Sequence, residues 1–169
     1  VGAPSFRPEE IVRALVARDV AFILIGGLAA RAHGSNMLTS DVDITPDRAL
    51  DNLARLSEAL NDLEATVRAD GVDGGLPFTH DAESLAAAGV WNLTTRYGDL
   101  DISMVPSGTG GYSDLAQEAV EETAYGTRIK IAALADVIRS KQAANRPKDQ
   151  RVLPVLREIL ATRHERERS

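Results

Sequence analysis

"FILIGGLAARAHGSNMLTSDVDIT" (residues 22–45) decides how this chain is read. An apolar run ends in Gly26 and Gly27, and the following "LAARAHG" fits a short helix closed by Gly34. "SDVDIT" then alternates Val42 and Ile44 with Asp41 and Asp43. The first run predicts a buried strand. The alternation predicts a second strand whose apolar residues face a core while both aspartates share the other face. Two carboxylates side by side are electrostatically unfavourable, because each raises the pKa of the other. A divalent cation removes that difficulty, so "DVD" reads as half of a metal site, the alternative being a pair of surface carboxylates.

A third carboxylate on a neighbouring strand would complete such a site. In "VWNLTTRYGDLDISMVP" (residues 90–106), two strands are expected around a tight turn at Tyr97 and Gly98, the second alternating Leu100, Ile102 and Met104 with Asp99, Asp101 and Ser103. Asp101 is the candidate, and Asp99, on the same face but beside Gly98 at the strand entrance, is its rival. Magnesium takes oxygen ligands and keeps open positions for substrate phosphates, as phosphoryl and nucleotidyl transfer require. Gly26 and Gly27 let backbone approach a ligand closely, and the helix after them offers free amides to phosphate; their other reading is plain packing. "GGLAARA" lacks the glycine spacing of a dinucleotide-binding fingerprint, and no "GK[ST]" follows it as in a Walker A loop.

The order Gly26-Gly27, Asp41-Val42-Asp43, Asp101 resembles the nucleotidyltransferase superfamily that includes the DNA polymerase β-like enzymes. The blocks "GGLAARAHGSNMLTSDVDI", "YGDLDISMVPSGTGGY" and "SKQAANRPKD" together resemble the AbiEii and MenT branch, toxins of bacterial toxin–antitoxin pairs, over roughly residues 20–160. This resemblance implies an α/β (α+β) nucleotidyltransferase fold, a mixed β-sheet flanked by helices with a C-terminal helical segment. It implies one domain over 1–169, with a catalytic core at about 20–105 and a helical part at about 131–165. It further implies Mg2+, one or two ions, held by Asp41, Asp43 and Asp101, with an NTP as co-substrate. Asp101 would also help deprotonate the acceptor hydroxyl, and Gly26 and Gly27 would cradle phosphates.

Lys141 matches the lysine of the family's "SK" block, where it would meet the β- and γ-phosphates; a solvated helix residue is the alternative. The chain has 16 arginines against three lysines, all three in its last third, which draws attention to that position. Arg146, Lys148 and Asp149 match the "RPKD" block, Asp149 either orienting Lys141 or capping the last helix. Ser35, beside "HG", is a candidate phosphate contact, whereas His33 reads as a local hydrogen-bonding residue and Trp91 and Phe78 as core. The branch commonly carries an arginine where Met37 stands; if that arginine contacts phosphate, Arg31 or another cation must replace it, or affinity falls.

The implied activity is that of a toxin transferring a nucleotide, CTP being the first choice of donor, to the 3′ end of tRNA, with a cognate antitoxin as partner. The alternatives are AMP transfer to a protein or to a small molecule such as an aminoglycoside, and a non-catalytic binding module. Composition agrees with an ordinary folded domain of 169 residues, 44% of them hydrophobic. The absence of cysteine excludes disulfides, thiolate catalysis and cysteine zinc sites. No apolar run of membrane length occurs, so no membrane partner and a cytoplasmic location are expected. The net charge of −6 is divided unevenly: residues 1–138 carry −11 and residues 139–169 carry +5, a basic tail suited to nucleic acid or to a charged helix face.

The remaining elements are a first helix from Pro8 through "EEIVRALVARD" and a long amphipathic helix opened by Thr45 and Pro46, with Leu50, Leu53, Leu56 and Leu60 in one stripe. "ADGVDGGLP" is expected as a loop and "HDAESLAAAG" as a capped helix. "TRIKIAAL" leads as a strand into "ADVIRSKQAAN". A final helix carries Val152, Val155, Leu156, Ile159 and Leu160, distorted at Pro154.

Overall fold

The computed structural model describes residues 4–169; the first three residues of the domain expected over 1–169 lie outside the described residues. Helix α1 (Pro8–Ala17) starts on a proline with Glu9 and Glu10 in its first turn, where negative charge meets the positive end of the helix dipole. Strand β1 (Phe22–Ile25) leads directly into α2 (Gly26–Ala32), and β2 (Asp41–Pro46) returns antiparallel beside β1. After α3 (Leu50–Asp62) come β3 (Thr66–Ala69), β4 (Val72–Leu76) and α4 (Ala82–Ala87). Then follow β5 (Val90–Thr95), β6 (Gly98–Ser103), α5 (Tyr112–Leu115), β7 (Val120–Ala124) and β8 (Thr127–Ile131). The chain closes with α6 (Leu134–Ala144) and α7 (Pro147–Glu167).

The eight strands form one mixed sheet in the order β4-β3-β5-β6-β2-β1-β8-β7. Most neighbours are antiparallel, but β2 runs parallel to β6 and β1 parallel to β8. One face of the central strands is apolar: Val42, Ile44, Leu100 and Ile102 are fully buried, as are Leu53, Leu56 and Leu60 of α3. That face fixes the register, since a slip of one residue would carry the neighbouring aspartates into the core.

Several elements differ from the sequence-based expectation. Thr45 and Pro46 belong to β2, paired with Ile23 and Phe22, and α3 begins only at Leu50. Leu50 is therefore a first-turn residue and is exposed, outside the stripe formed by the other three leucines. "ADGVDGGLP" is largely the β3–β4 hairpin, with Gly71 at positive φ after Asp70. In the β5–β6 hairpin the connecting residues are Arg96 and Tyr97, while Gly98 is already paired with Thr95. Gly98 has φ +114, and a side chain there would strike Phe6 of the N-terminal segment. Pro154 lies inside an unbroken α7, in which Leu153 is buried and Val155 is exposed.

The buried amide of Asn52 ties α3 to the sheet. Its Oδ1 accepts from Ala21 N–H (2.7 Å), and its Nδ2 donates to Ala21 O (3.0 Å) and Asp47 O (2.8 Å). Removing that side chain leaves backbone groups without partners in a dry setting. Asn52→Ala is expected to cost about 2–4 kcal/mol in urea unfolding, well above the few tenths typical of a surface change.

Candidate active site

The parallel pairing of β2 with β6 sets Asp41 beside Asp99 and Asp43 beside Asp101. Residues aligned this way project from the same face of the sheet. Asp41, Asp43 and Asp101 each offer a carboxylate oxygen within 4.8 Å of the others, and all three are half-buried. The rival Asp99 lies outside this cluster: its Oδ1 accepts from Thr94 Oγ1 (3.2 Å) and its Oδ2 lies 3.3 Å from Arg68 Nε. Asp41 is steadied by Thr39, whose hydroxyl donates to Asp41 Oδ1 at 3.2 Å.

The glycines make room for these carboxylates. Gly26 has φ +68, and a Cβ on it would collide with the Asp43 carboxylate. A Cβ on Gly27 would stand 2.7 Å from Thr39 Oγ1. The start of α2 thereby lies directly against Asp43 and the threonine that holds Asp41.

Burial, with the Asp41 and Asp101 carboxylates, pushes Asp43 up to about 7, against weaker opposing pulls from Lys148 and Lys141. Burial and the hydrogen bond with Asp41 likewise raise Asp101 to about 6, opposed by Arg68. All three ligand groups are hard oxygen donors, and their crowding is the electrostatic condition a divalent cation relieves. The residues present therefore fit magnesium or manganese.

A cavity of about 540 Å3 opens beside the carboxylates, a size suited to a small-molecule ligand. Gly26, Gly27, Ser35, Asp43 and Asp101 line it, and Lys141, Arg146 and Lys148 supply its positive wall. Lys141 is only 12% exposed and sits 3.7 Å from Asp149. Burial lowers its pKa, with Asp149 pulling the other way. Asp149 is fully buried: it caps α7 by accepting from Arg146 N–H (3.0 Å) and Arg146 Nε (2.8 Å). Burial pushes its pKa up, but those hydrogen bonds and the adjacent cations prevail and hold it below the usual carboxylate range. Asp149 thus caps the helix while lying within ion-pair distance of Lys141.

Ser35 lines the cavity, but its hydroxyl oxygen accepts from Met37 N–H at 3.2 Å. Met37 lines the cavity as well, and Arg31 donates to its carbonyl at 3.0 Å. The cations that face the cavity besides Lys141 are thus Arg146 and Lys148 rather than Arg31. His33 is buried, with Nε2 2.7 Å from Ala132 O and Nδ1 3.1 Å from Arg163, a structural arrangement. Phe78 and Trp91 stack on each other at 5.7 Å and pack against the core. Arg68, on β3, escaped the sequence reading although it contacts Asp101 at 2.9 Å. The "DG" at residues 70–71 was the available signal, as a turn flanked by short strands.

The sequence matches no family model and no curated protein. Solved structures do resemble it. A lincomycin-bound lincosamide antibiotic adenylyltransferase, LnuA, superposes with TM-score 0.62 at 14% identity, over 92% of this chain and 99% of that one. A Thermotoga maritima protein assigned as a nucleotidyltransferase gives 0.52 at 15% identity, over 94% and 97%. The antibiotic-resistance factor ANT(2'')-Ia gives 0.50 at 15% identity, over 95% of each chain. At these identities the likeness establishes the fold, and the chain has the nucleotidyltransferase fold expected from its sequence.

Because its carboxyl pKa lies above the unfolded value, Asp43 contributes stability below about pH 4 that is lost as pH rises through 7. Without divalent ions, Asp43→Asn is therefore expected to gain stability over wild type between pH 5 and pH 8, on the order of 1–3 kcal/mol at the upper end. Urea unfolding at both pH values measures this, and magnesium should stabilise wild type more than the variant.

Proposed function

We propose that this chain transfers a nucleoside monophosphate from an NTP to an acceptor hydroxyl and releases pyrophosphate, with one or two magnesium ions held by Asp41, Asp43 and Asp101. One observation carries the reading: Asp43 and Asp101, clustered with Asp41, line one side of a cavity whose other side presents Lys141, Arg146 and Lys148. A bound magnesium ion would neutralise triphosphate oxygens and align the α-phosphorus for in-line attack. On the protein's side, Lys141 and its two neighbouring cations would bind the β- and γ-phosphates and stabilise charge on departing pyrophosphate. Gly26 and Gly27 would let the triphosphate approach the backbone, and Asp101 would receive the proton of the attacking hydroxyl. Asp149 would act through Lys141, holding its ammonium group in place.

For the acceptor, the sequence blocks and the basic tail support the 3′ end of tRNA, with CTP as donor and a cognate antitoxin as partner. Most of the tail belongs to the 21-residue α7, which starts at the cavity and extends about 30 Å, so its arginines would track a phosphate backbone alongside the site. A second reading, transfer to a small hydroxylated molecule, is favoured by the cavity's remaining wall. Leu38, Val90, Asn92, Ser103 and Pro106 line it without a basic residue, and Leu38 is 92% exposed. That surface suits a neutral or cationic acceptor better than a polyanion, and one similar structure is an adenylyltransferase bound to lincomycin.

Incubation with each labelled NTP, magnesium and either total RNA or a panel of lincosamides and aminoglycosides separates the two. Label in a tRNA-sized band supports the toxin reading, and label on a small molecule supports the second. In either case Asp41→Ala should lower the rate at least about 100-fold. Lys141→Ala should raise the KM for NTP about 10–100-fold, the loss of one charged hydrogen-bonding group. Pyrophosphate release from no NTP with any acceptor would refute the proposal.

A further inference from the structure

The β3–β4 hairpin carries a cation to the far side of the carboxylate cluster. Arg68 of β3 reaches across β5, where its Nη2 donates to Leu93 O, to Asp101 Oδ1 on β6, each at 2.9 Å. Its Nε stands 3.3 Å from Asp99 Oδ2 but is buried without a well-aligned acceptor. A buried guanidinium nitrogen left in that state marks a side chain held by its other contacts. The Leu93 carbonyl anchors the guanidinium to the strand between β3 and β6, and Asp99 balances its charge. One nitrogen then grips one oxygen of Asp101, whose carboxylate also meets Asp41.

We propose that Arg68 is a positioning residue that fixes the Asp101 carboxylate for cation binding, an inference resting on the reading of Asp41, Asp43 and Asp101 as metal ligands. Residues hydrogen-bonded behind a ligand restrict its orientation, and their loss commonly costs as much as that of a weak ligand. Coulomb's law alone predicts the opposite sign, because deleting a positive charge favours a divalent cation. The two effects are therefore separable. The charge of Arg68 is already offset by Asp99 as well as Asp101, so the geometric effect is the larger.

The test titrates Mn2+ into the full chain and follows free ion by electron paramagnetic resonance, with thermal melts to confirm folding. Arg68→Ala is expected to weaken Mn2+ binding about 10–100-fold, towards the level of Asp101→Ala. Arg68→Lys keeps the charge but lacks the planar fork, and should recover only part of the loss. If Arg68→Ala fails to fold, Arg68→Lys carries the test. Mn2+ binding by Arg68→Ala as tight as wild type or tighter, while Asp101→Ala binds weakly, overturns the positioning role and leaves the metal site standing. Failure of wild type to bind Mn2+, or indifference of binding to Asp101→Ala, overturns both.

Discussion

The structure depends on the parallel pairing of β2 with β6. It brings Asp41, Asp43, Asp99 and Asp101 onto one sheet face in two adjacent rows, an arrangement that repels itself. The opposite face of the same strands is fully buried, and its Val42, Ile44, Leu100 and Ile102 cannot leave the core without large loss. Apolar burial thus holds carboxylates in positions their own electrostatics oppose. The raised pKa values of Asp43 and Asp101 come first from burial and then from the neighbouring carboxylates.

Two sets of cations answer it from opposite sides. Arg68 neutralises Asp99 and Asp101 at the outer edge, through the hairpin next to β5. Lys141, Arg146 and Lys148 face the cavity from the junction of α6 and α7, where Asn145 in the left-handed conformation ends one helix and Arg146 begins the next. Buried Asp149 joins that junction together, capping α7 while lying beside Lys141. These cations line the cavity opposite Asp43 and Asp101 and form no salt bridge with them.

Much of this was legible beforehand, for physical reasons. Strict alternation in "DVDI" and "LDIS" identified both strands and the faces of their aspartates, because a strand's side chains have period two. Lys141 drew attention through the scarcity of lysine. The sequence misled where short polar segments pair with distant partners. "VDGGL" has the composition of a loop, yet it closes a hairpin that docks onto β5. Thr45 and Pro46 carry a helix-start signature, yet ladder pairing with Phe22 and Ile23 holds them extended. In both cases a long-range partner outweighed the local propensity.

By itself, then, the sequence determined the central strands and their core faces, because these follow from local periodicity; the mixed sheet was implied by the resemblance of its glycine and aspartate blocks to a known superfamily. The tertiary structure alone showed that Asp101 rather than Asp99 clusters with Asp41 and Asp43, since that depends on side-chain contacts between strands more than fifty residues apart. It also decided that Arg146 and Lys148, not Arg31, face the cavity, and that Arg68 grips Asp101. Such pairings join residues whose separation along the chain carries no periodic signal, so only the folded arrangement of strands and helices could specify them.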